Sequence, residues 1–187
     1  VYNPSDNDVY DKMTSKDYDF DELGKVMEGK YRPGHFNGVA TIVQKLFTMF
    51  KPNNAYFGEK DFQQLLIIKA LVKKLKLRIK IIGCETIRDK FGLALSSRNN
   101  LMSKEEKGDA REINKLLFKA KKMYISYSVE EIREKVKEKL NSLNCCKLEY
   151  FEIDDLGRYS KFLVEDGKRI FIACWIGKTR LIDNIPI

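Results

Sequence analysis

Between residues 55 and 84 the chain passes from a short apolar stretch through a polar loop into a long apolar stripe, then out into a second β-like segment. Few folds accommodate that order. Ala55 to Phe57 reads as a short buried strand running into "FGEKDFQQ", residues 57–64. Leu65, Ile68, Leu71, Val72 and Leu75 recur at the three- and four-residue steps of one helix face, and "RIKIIGC", residues 78–84, supplies the next strand. Strand, loop, helix, strand is a βαβ unit, so the two strands run parallel and gather functional groups at their carboxyl ends. The polar loop lies at one such end, and residues 85–100 follow the other.

The flanking segments extend this α/β reading. Val39, Ile42, Val43, Leu46, Phe47 and Phe50 give one buried helical stripe, ended by Pro52-Asn53-Asn54. Residues 1–22 are polar, acidic and turn-rich and read as a loop entering the fold or a segment cut from something longer. Beyond Asn100 the character changes. Ser103 with Glu106 and Ser128 with Glu131 are capping-box signatures, each opening an amphipathic helix. "KLEYFEID", "KRIFIACWI" and "TRLIDNI" then read as three strands of a small antiparallel sheet. The expected division is therefore an α/β part over residues 1–100 and a small α+β part over residues 101–187.

Composition removes several kinds of chemistry. His35 is the one histidine, and no G-x-S-x-G elbow or H-E-x-x-H pair occurs, so covalent or zinc catalysis has no visible apparatus. Cys84, Cys145, Cys146 and Cys174 have no spacing that closes a zinc site and read as reduced thiols of a cytoplasmic protein. No apolar run reaches the about 18 residues a membrane span needs. The net charge of +8 is compatible with a polyanionic partner. Its densest run, residues 69–80, lacks the interleaved aromatics of a base-stacking platform and reads as a solvated helix face, so no nucleic acid is expected.

What remains is chemistry by positioning and charge, the kind that serves phosphoryl and adenylyl transfer. In "GEKD", Gly58 would let backbone approach a ligand, Lys60 supplies a point charge for phosphate, and Asp61 is placed to cap the following helix. Gln63 and Gln64 are amides able to fix a hydroxyl or carboxylate. In the second loop, Ser96, Ser97 and Arg98 place two hydroxyls and a guanidinium just past a strand end. In the third, Pro33 and Gly34 shape a turn flanked by Arg32 and His35, leading into the helix at Val39.

Read together, "RPGHFNGV", "FGEKDFQQL", "GLALSSRN" and "TRLIDN" resemble, in order and spacing, stretches of the pantothenate synthetase (pantoate–β-alanine ligase) family. The resemblance covers the chain from about Glu28 onward. It implies a partial Rossmann-like nucleotidyltransferase domain of the HIGH superfamily, with parallel strands, followed by a small α+β lid domain with an antiparallel sheet. It also implies a two-step reaction in which ATP and pantoate give pantoyl adenylate and pyrophosphate, after which the amine of β-alanine displaces AMP. Mg2+ accompanies the nucleotide, and the whole-length family protein is expected to be a homodimer.

Carried over residue by residue, the resemblance implies that Gly58, Lys60 and Asp61 meet the nucleotide. Ser96, Ser97 and Arg98 take the place of a synthetase "KMSKS" loop on the phosphates, so that Lys60 and these three are the catalytic set. Ile87 and Leu95 flank the adenine. Gln64 hydrogen-bonds pantoate, whose apolar side meets Val39, Ile42, Val43 and Phe57, with Arg32 and His35 as further pocket residues. No metal ligand is assigned. The family's N-terminal "HIGH"-like segment has no counterpart in this sequence. The expectation is accordingly a C-terminal portion of a longer enzyme, nearly silent by itself, with an exposed sheet edge that promotes association. The rival readings are another adenylyl- or nucleotidyltransferase of the same fold and a basic nucleic-acid-binding module.

Overall fold

The computed structural model describes residues 17–163 and 167–187, so residues 1–16 of the expected entry loop lie outside the described residues. In chain order the elements are helices α1 (Met27–Tyr31) and α2 (His35–Phe50), strand β1 (Asn54–Gly58), α3 (Phe62–Lys74), β2 (Lys80–Cys84), α4 (Lys104–Met123), α5 (Val129–Asn141), β3 (Cys146–Asp154), β4 (Arg169–Ile176) and β5 (Thr179–Pro186). Short 3-10 turns occupy Asp21–Gly24, Glu59–Asp61, Ser97–Leu101 and Leu156–Tyr159. The expected class is observed: β1 and β2 form a parallel pair joined through α3, and β3-β4-β5 form an antiparallel sheet. Among the described residues no helix is long and apolar enough to cross a membrane.

The chain divides into two compact units. One comprises the described parts of Val1–Phe57, Phe62–Cys84 and Leu156–Glu165; the other comprises Gly58–Asp61, Glu85–Asp155 and the described part of Asp166–Ile187.

In the first unit α3 is buried almost all round, which the expected single inner face understates. Leu66 and Ile67 are as buried as Leu65, Ile68 and Leu71, because α2 and β2 contact the helix together with the turns Asp21–Gly24 and Leu156–Tyr159. Lys74, from the basic run, donates to the Asp19 carbonyl at 2.9 Å and lies 5.4 Å from the Phe162 ring. Helix α2 starts at His35, one turn before the expected Val39. Gly34 stands at its N-cap with φ +79°, a conformation glycine adopts without a Cβ penalty, and this sets the helix going without a capping side chain.

In the second unit both expected capping boxes form. Ser103 and Glu106 exchange side-chain-to-backbone bonds of 3.1 and 2.7 Å, and Ser128 and Glu131 bonds of 3.2 and 2.8 Å. The resulting helices place Ile113, Leu117, Ile132, Val136 and Leu140 against one face of the sheet. A register shift between Leu148 and Tyr150 makes that face continuous. Side chains alternate along a strand, so an unbroken β3 would turn Leu148 and Phe151 to opposite sides. The bulge lets both join Ile172, Cys174 and Leu181 in the core.

Candidate active site

In the second unit the segment after β2 folds into a tight hairpin. The Leu95 N–H donates to the Ile87 carbonyl at 2.9 Å, and Arg88 bridges Ala94. Asp89 organises the tip, its carboxylate accepting from the Phe91 and Leu93 amides at 2.8 and 3.0 Å. Gly92, at φ +88°, fits against α4 where a Cβ would meet Asn114 Oδ1 at 2.4 Å. This framework sets Ile87 and Leu95 side by side across the hairpin, 71% and 52% exposed, an apolar pair facing water.

The chain leaves the hairpin through Ser96, Ser97 and Arg98. Ser96 Oγ accepts the Arg98 N–H at 3.3 Å and opens the 3-10 turn Ser97–Leu101, and its hydroxyl donates to no group among the described residues. Asn99 anchors the turn by donating to the Ala94 carbonyl at 3.0 Å. Ser97 and Arg98 are exposed, and the Arg98 guanidinium has no ion pair among the described residues. An exposed guanidinium beside two hydroxyls is suited to gripping phosphate oxygens.

Lys60 sits in the turn Glu59–Asp61, half-buried, its Nζ 3.9 Å from Asp61 Oδ2. Asp61 does not cap α3 as expected; the chain enters the helix by continuing from a 3-10 turn, and the carboxylate faces Lys60. Gly58 is exposed, with nothing within 4 Å of where a Cβ would stand, so its backbone is open to close approach.

A buried polar network, unread in the sequence, links this turn to the hairpin. Asp183 and Asn184 of β5 are 5% and 3% exposed. Arg88 forks onto Asp183 at 2.7 and 2.9 Å and also donates to the Gly92 carbonyl at 3.0 Å. Asn184 Nδ2 donates to the Glu59 and Lys60 carbonyls, both at 2.9 Å, while Arg169 Nε donates to Asn184 Oδ1 at 2.8 Å and the Arg169 fork reaches Glu59 Oε2 at 3.4 Å. A cleft of about 290 Å³ opens here, lined among others by Glu59, Thr86, Arg88, Arg169 and Asn184. The signal available was the "DN" step breaking an apolar strand within "TRLIDN".

In the first unit the two adjacent glutamines separate. Gln63 is 4% exposed and fully used: Oε1 accepts the Glu28 N–H at 3.0 Å, and Nε2 donates to the Leu23 and Val26 carbonyls at 2.8 and 3.0 Å. It is a tie between segments, correcting its reading as a ligand-fixing amide. Gln64 is half-buried and its amide makes no hydrogen bond among the described residues. One turn on, Ile68 joins Phe47 and Val72 in a small cluster against which Val39, Val43 and Phe57 pack. Residues four apart share a helix face, so Gln64 stands at the edge of that apolar group. Ile42 is half-buried and is not part of the cluster.

Arg32 and His35 are local partners. Arg32 donates to His35 Nε2 at 3.0 Å and pairs with Glu28 at 3.4 Å, and it lines a cleft of about 250 Å³ with Asp19, Asp21, Lys25, Gly34 and Asn37. Because guanidinium only donates, that contact assigns Nε2 as the acceptor.

The profile of the pantoate-beta-alanine ligase family matches residues 1–186. Pantothenate synthetase of Flavobacterium psychrophilum is 43% identical over 191 residues, covering 100% of this chain and 68% of the relative. The Azobacteroides pseudotrichonymphae enzyme of the same name is 46% identical over 99% of this chain and 67% of its own length. Among solved structures, pantothenate synthetase from Thermus thermophilus superposes with a TM-score of 0.88 at 33% identity, covering 98% of this chain and 67% of that one. The Francisella tularensis ligase, complexed with Beta-gamma ATP and beta-alanine, gives 0.72 at 35% identity over 98% of this chain and 62% of that one. The chain thus spans about two thirds of the length of these proteins. With the family profile matching residues 1–186, the chain belongs to the pantoate–β-alanine ligase family.

Proposed function

We propose that this chain contributes to the ATP-dependent condensation of pantoate with β-alanine through a pantoyl-adenylate intermediate. The observation that carries the reading is the hairpin of the second unit. It exposes Ile87 and Leu95 side by side and leads directly into Ser96, Ser97 and an exposed Arg98 with no ion pair among the described residues, an apolar seat for a base followed by donors for phosphates. Lys60 adds a second cation, with Gly58 and Asp61 beside it. The Francisella ligase complexed with Beta-gamma ATP and beta-alanine supports ATP and β-alanine as ligands here.

In the first step a pantoate carboxylate oxygen attacks the α-phosphorus of ATP and pyrophosphate leaves. In the second the β-alanine amine attacks the acyl carbon and AMP departs, the amine shedding its proton. Lys60, Ser96, Ser97 and Arg98 act by holding the phosphate oxygens in line and offsetting charge on the departing pyrophosphate, with no covalent protein intermediate. Gln64 is the donor for pantoate, and Val39, Ile42, Val43 and Phe57 supply its apolar wall. Among the described residues no group of three or more His, Cys, Asp or Glu side chains converges to hold a metal. Mg2+ needs only one or two carboxylates besides the phosphates of its nucleotide, and is read as arriving on the ATP phosphates.

His35 is the one histidine, leaving the family's "HIGH"-type histidines without a counterpart in this sequence, so turnover by the chain alone is proposed to be slow. Equilibrium binding is the test. ATP is expected to bind with an affinity that falls in Arg98→Ala and Lys60→Ala, and pantoate with one that falls in Gln64→Ala. Nucleotide binding indifferent to both cation substitutions overturns the reading.

A further inference from the structure

We propose that Asn184 is a positioning residue that aims Lys60 at the nucleotide phosphates, by fixing the backbone on both sides of the Lys60 Cα. The inference rests on the phosphate role proposed for Lys60, and every contact it uses lies within the second unit.

The Glu59 carbonyl belongs to the peptide unit before Lys60, and the Lys60 carbonyl to the unit after it. Asn184 Nδ2 donates to both at 2.9 Å. Peptide units are planar, so pinning these two fixes φ and ψ of Lys60 and with them the direction of its Cα–Cβ bond. The turn itself is three residues long and cannot stiffen this direction by a ladder of its own.

The amide is held the right way round. Arg169 has only donors, so its 2.8 Å contact requires Oδ1 at that position and leaves Nδ2 toward the carbonyls. The same guanidinium reaches Glu59, gripping the turn by a side chain as Asn184 grips it by the main chain. The Asn184 backbone N–H donates in turn to Asp183 Oδ1 at 2.8 Å, and Arg88 forks onto that carboxylate from the hairpin bearing Ile87 and Leu95. Two successive residues of β5 thus set the turn carrying Lys60 and the hairpin proposed to hold the adenine against one rigid strand.

Asn184→Asp keeps the shape of the side chain and removes its donors, turning carboxylate oxygen toward two carbonyls. Lys60 is proposed to touch phosphate and not the base, so ATP affinity should fall about tenfold, the lower range for losing a charge-assisted contact, while adenosine affinity stays within about twofold. In a Lys60→Ala background the same substitution should change ATP affinity by no more than about twofold, since the group it aims is gone. Asn184→Ser, less disruptive and retaining one donor, should act in the same direction more weakly. A loss shared equally by ATP and adenosine, or one that persists undiminished without Lys60, overturns the proposal. If the unaltered chain binds no ATP, the functional reading fails by itself. Amide exchange over residues 58–61 then decides the positioning: faster in Asn184→Asp and Asn184→Ser sustains it, and unchanged rates in both overturn it.

Discussion

Gln63→Ala and Gln64→Ala alter neighbouring residues of one helix and should have opposite consequences. Gln63 loses one accepted and two donated hydrogen bonds in a site 4% exposed, stranding the Glu28 N–H and the Leu23 carbonyl, while the Val26 carbonyl keeps its bonds from the Gly29 and Lys30 amides. At about 1 kcal/mol for each neutral bond the sum is about 3 kcal/mol. That energy ties 23–28 to α3 and appears as a higher population of local opening. By native-state amide exchange the Glu28 N–H, which Gln63 accepts directly, should exchange about a hundredfold faster. Gln64 makes no hydrogen bond among the described residues and is half-buried, so its removal should change stability by about 0.5 kcal/mol or less. Its cost should appear in pantoate affinity. Unchanged exchange at Glu28 in Gln63→Ala, together with destabilisation in Gln64→Ala, would refute the assignment of roles.

Asp183→Ala leaves the Arg88 fork without its carboxylate on a strand 5% exposed at that residue, and should destabilise the second unit by about 3 kcal/mol, measured by urea unfolding followed at Trp175. Gly92→Ala combines a φ of +88° with a Cβ 2.4 Å from Asn114 Oδ1; it should loosen the hairpin and show as faster exchange of the Leu95 amide. Acid should act on α5 through Glu131, whose backbone bond from Ser128 holds its carboxyl below the usual range. The stability this contributes is present above the unfolded carboxyl value and is lost as pH falls through the lowered folded value, a dependence that Glu131→Gln should remove from the helix signal in circular dichroism.

Local signals carried the parts of the fold that local physics decides. Ser103 with Glu106 and Ser128 with Glu131 were legible because a capping box closes within one helical turn. The start of α2 was not, because Gly34 begins it by conformation and offers no capping oxygen to read. Helix α1 has five residues, too few to show a stripe. The bulge in β3 changes which residues face the core without changing the composition of the strand, so its position has no signature in the alternation.

The site divides along the same line. Lys60, Arg98 and Gln64 could be singled out as candidates, since a cation or amide in a polar loop or early helical turn reads the same whether or not its surroundings are known. Gln63 and Gln64 could not be told apart, because only the course of the chain at residues 23–28 decides which amide is used up. Asp183 and Asn184 show the limit most clearly. Their partners stand 95 and 125 residues away, and only a strand's alternation explains why two adjacent polar residues serve different ends. Asp183 lies on the face of β5 that carries Leu181 and Ile185 into the core, where a carboxylate is tolerable only with Arg88 on it. Asn184 takes the other face, where an amide with an acceptor for Arg169 and donors for two carbonyls satisfies every group it meets. An aspartate at 184 or an asparagine at 183 would leave a partner unanswered, so the order of the two residues is itself a constraint imposed by the network.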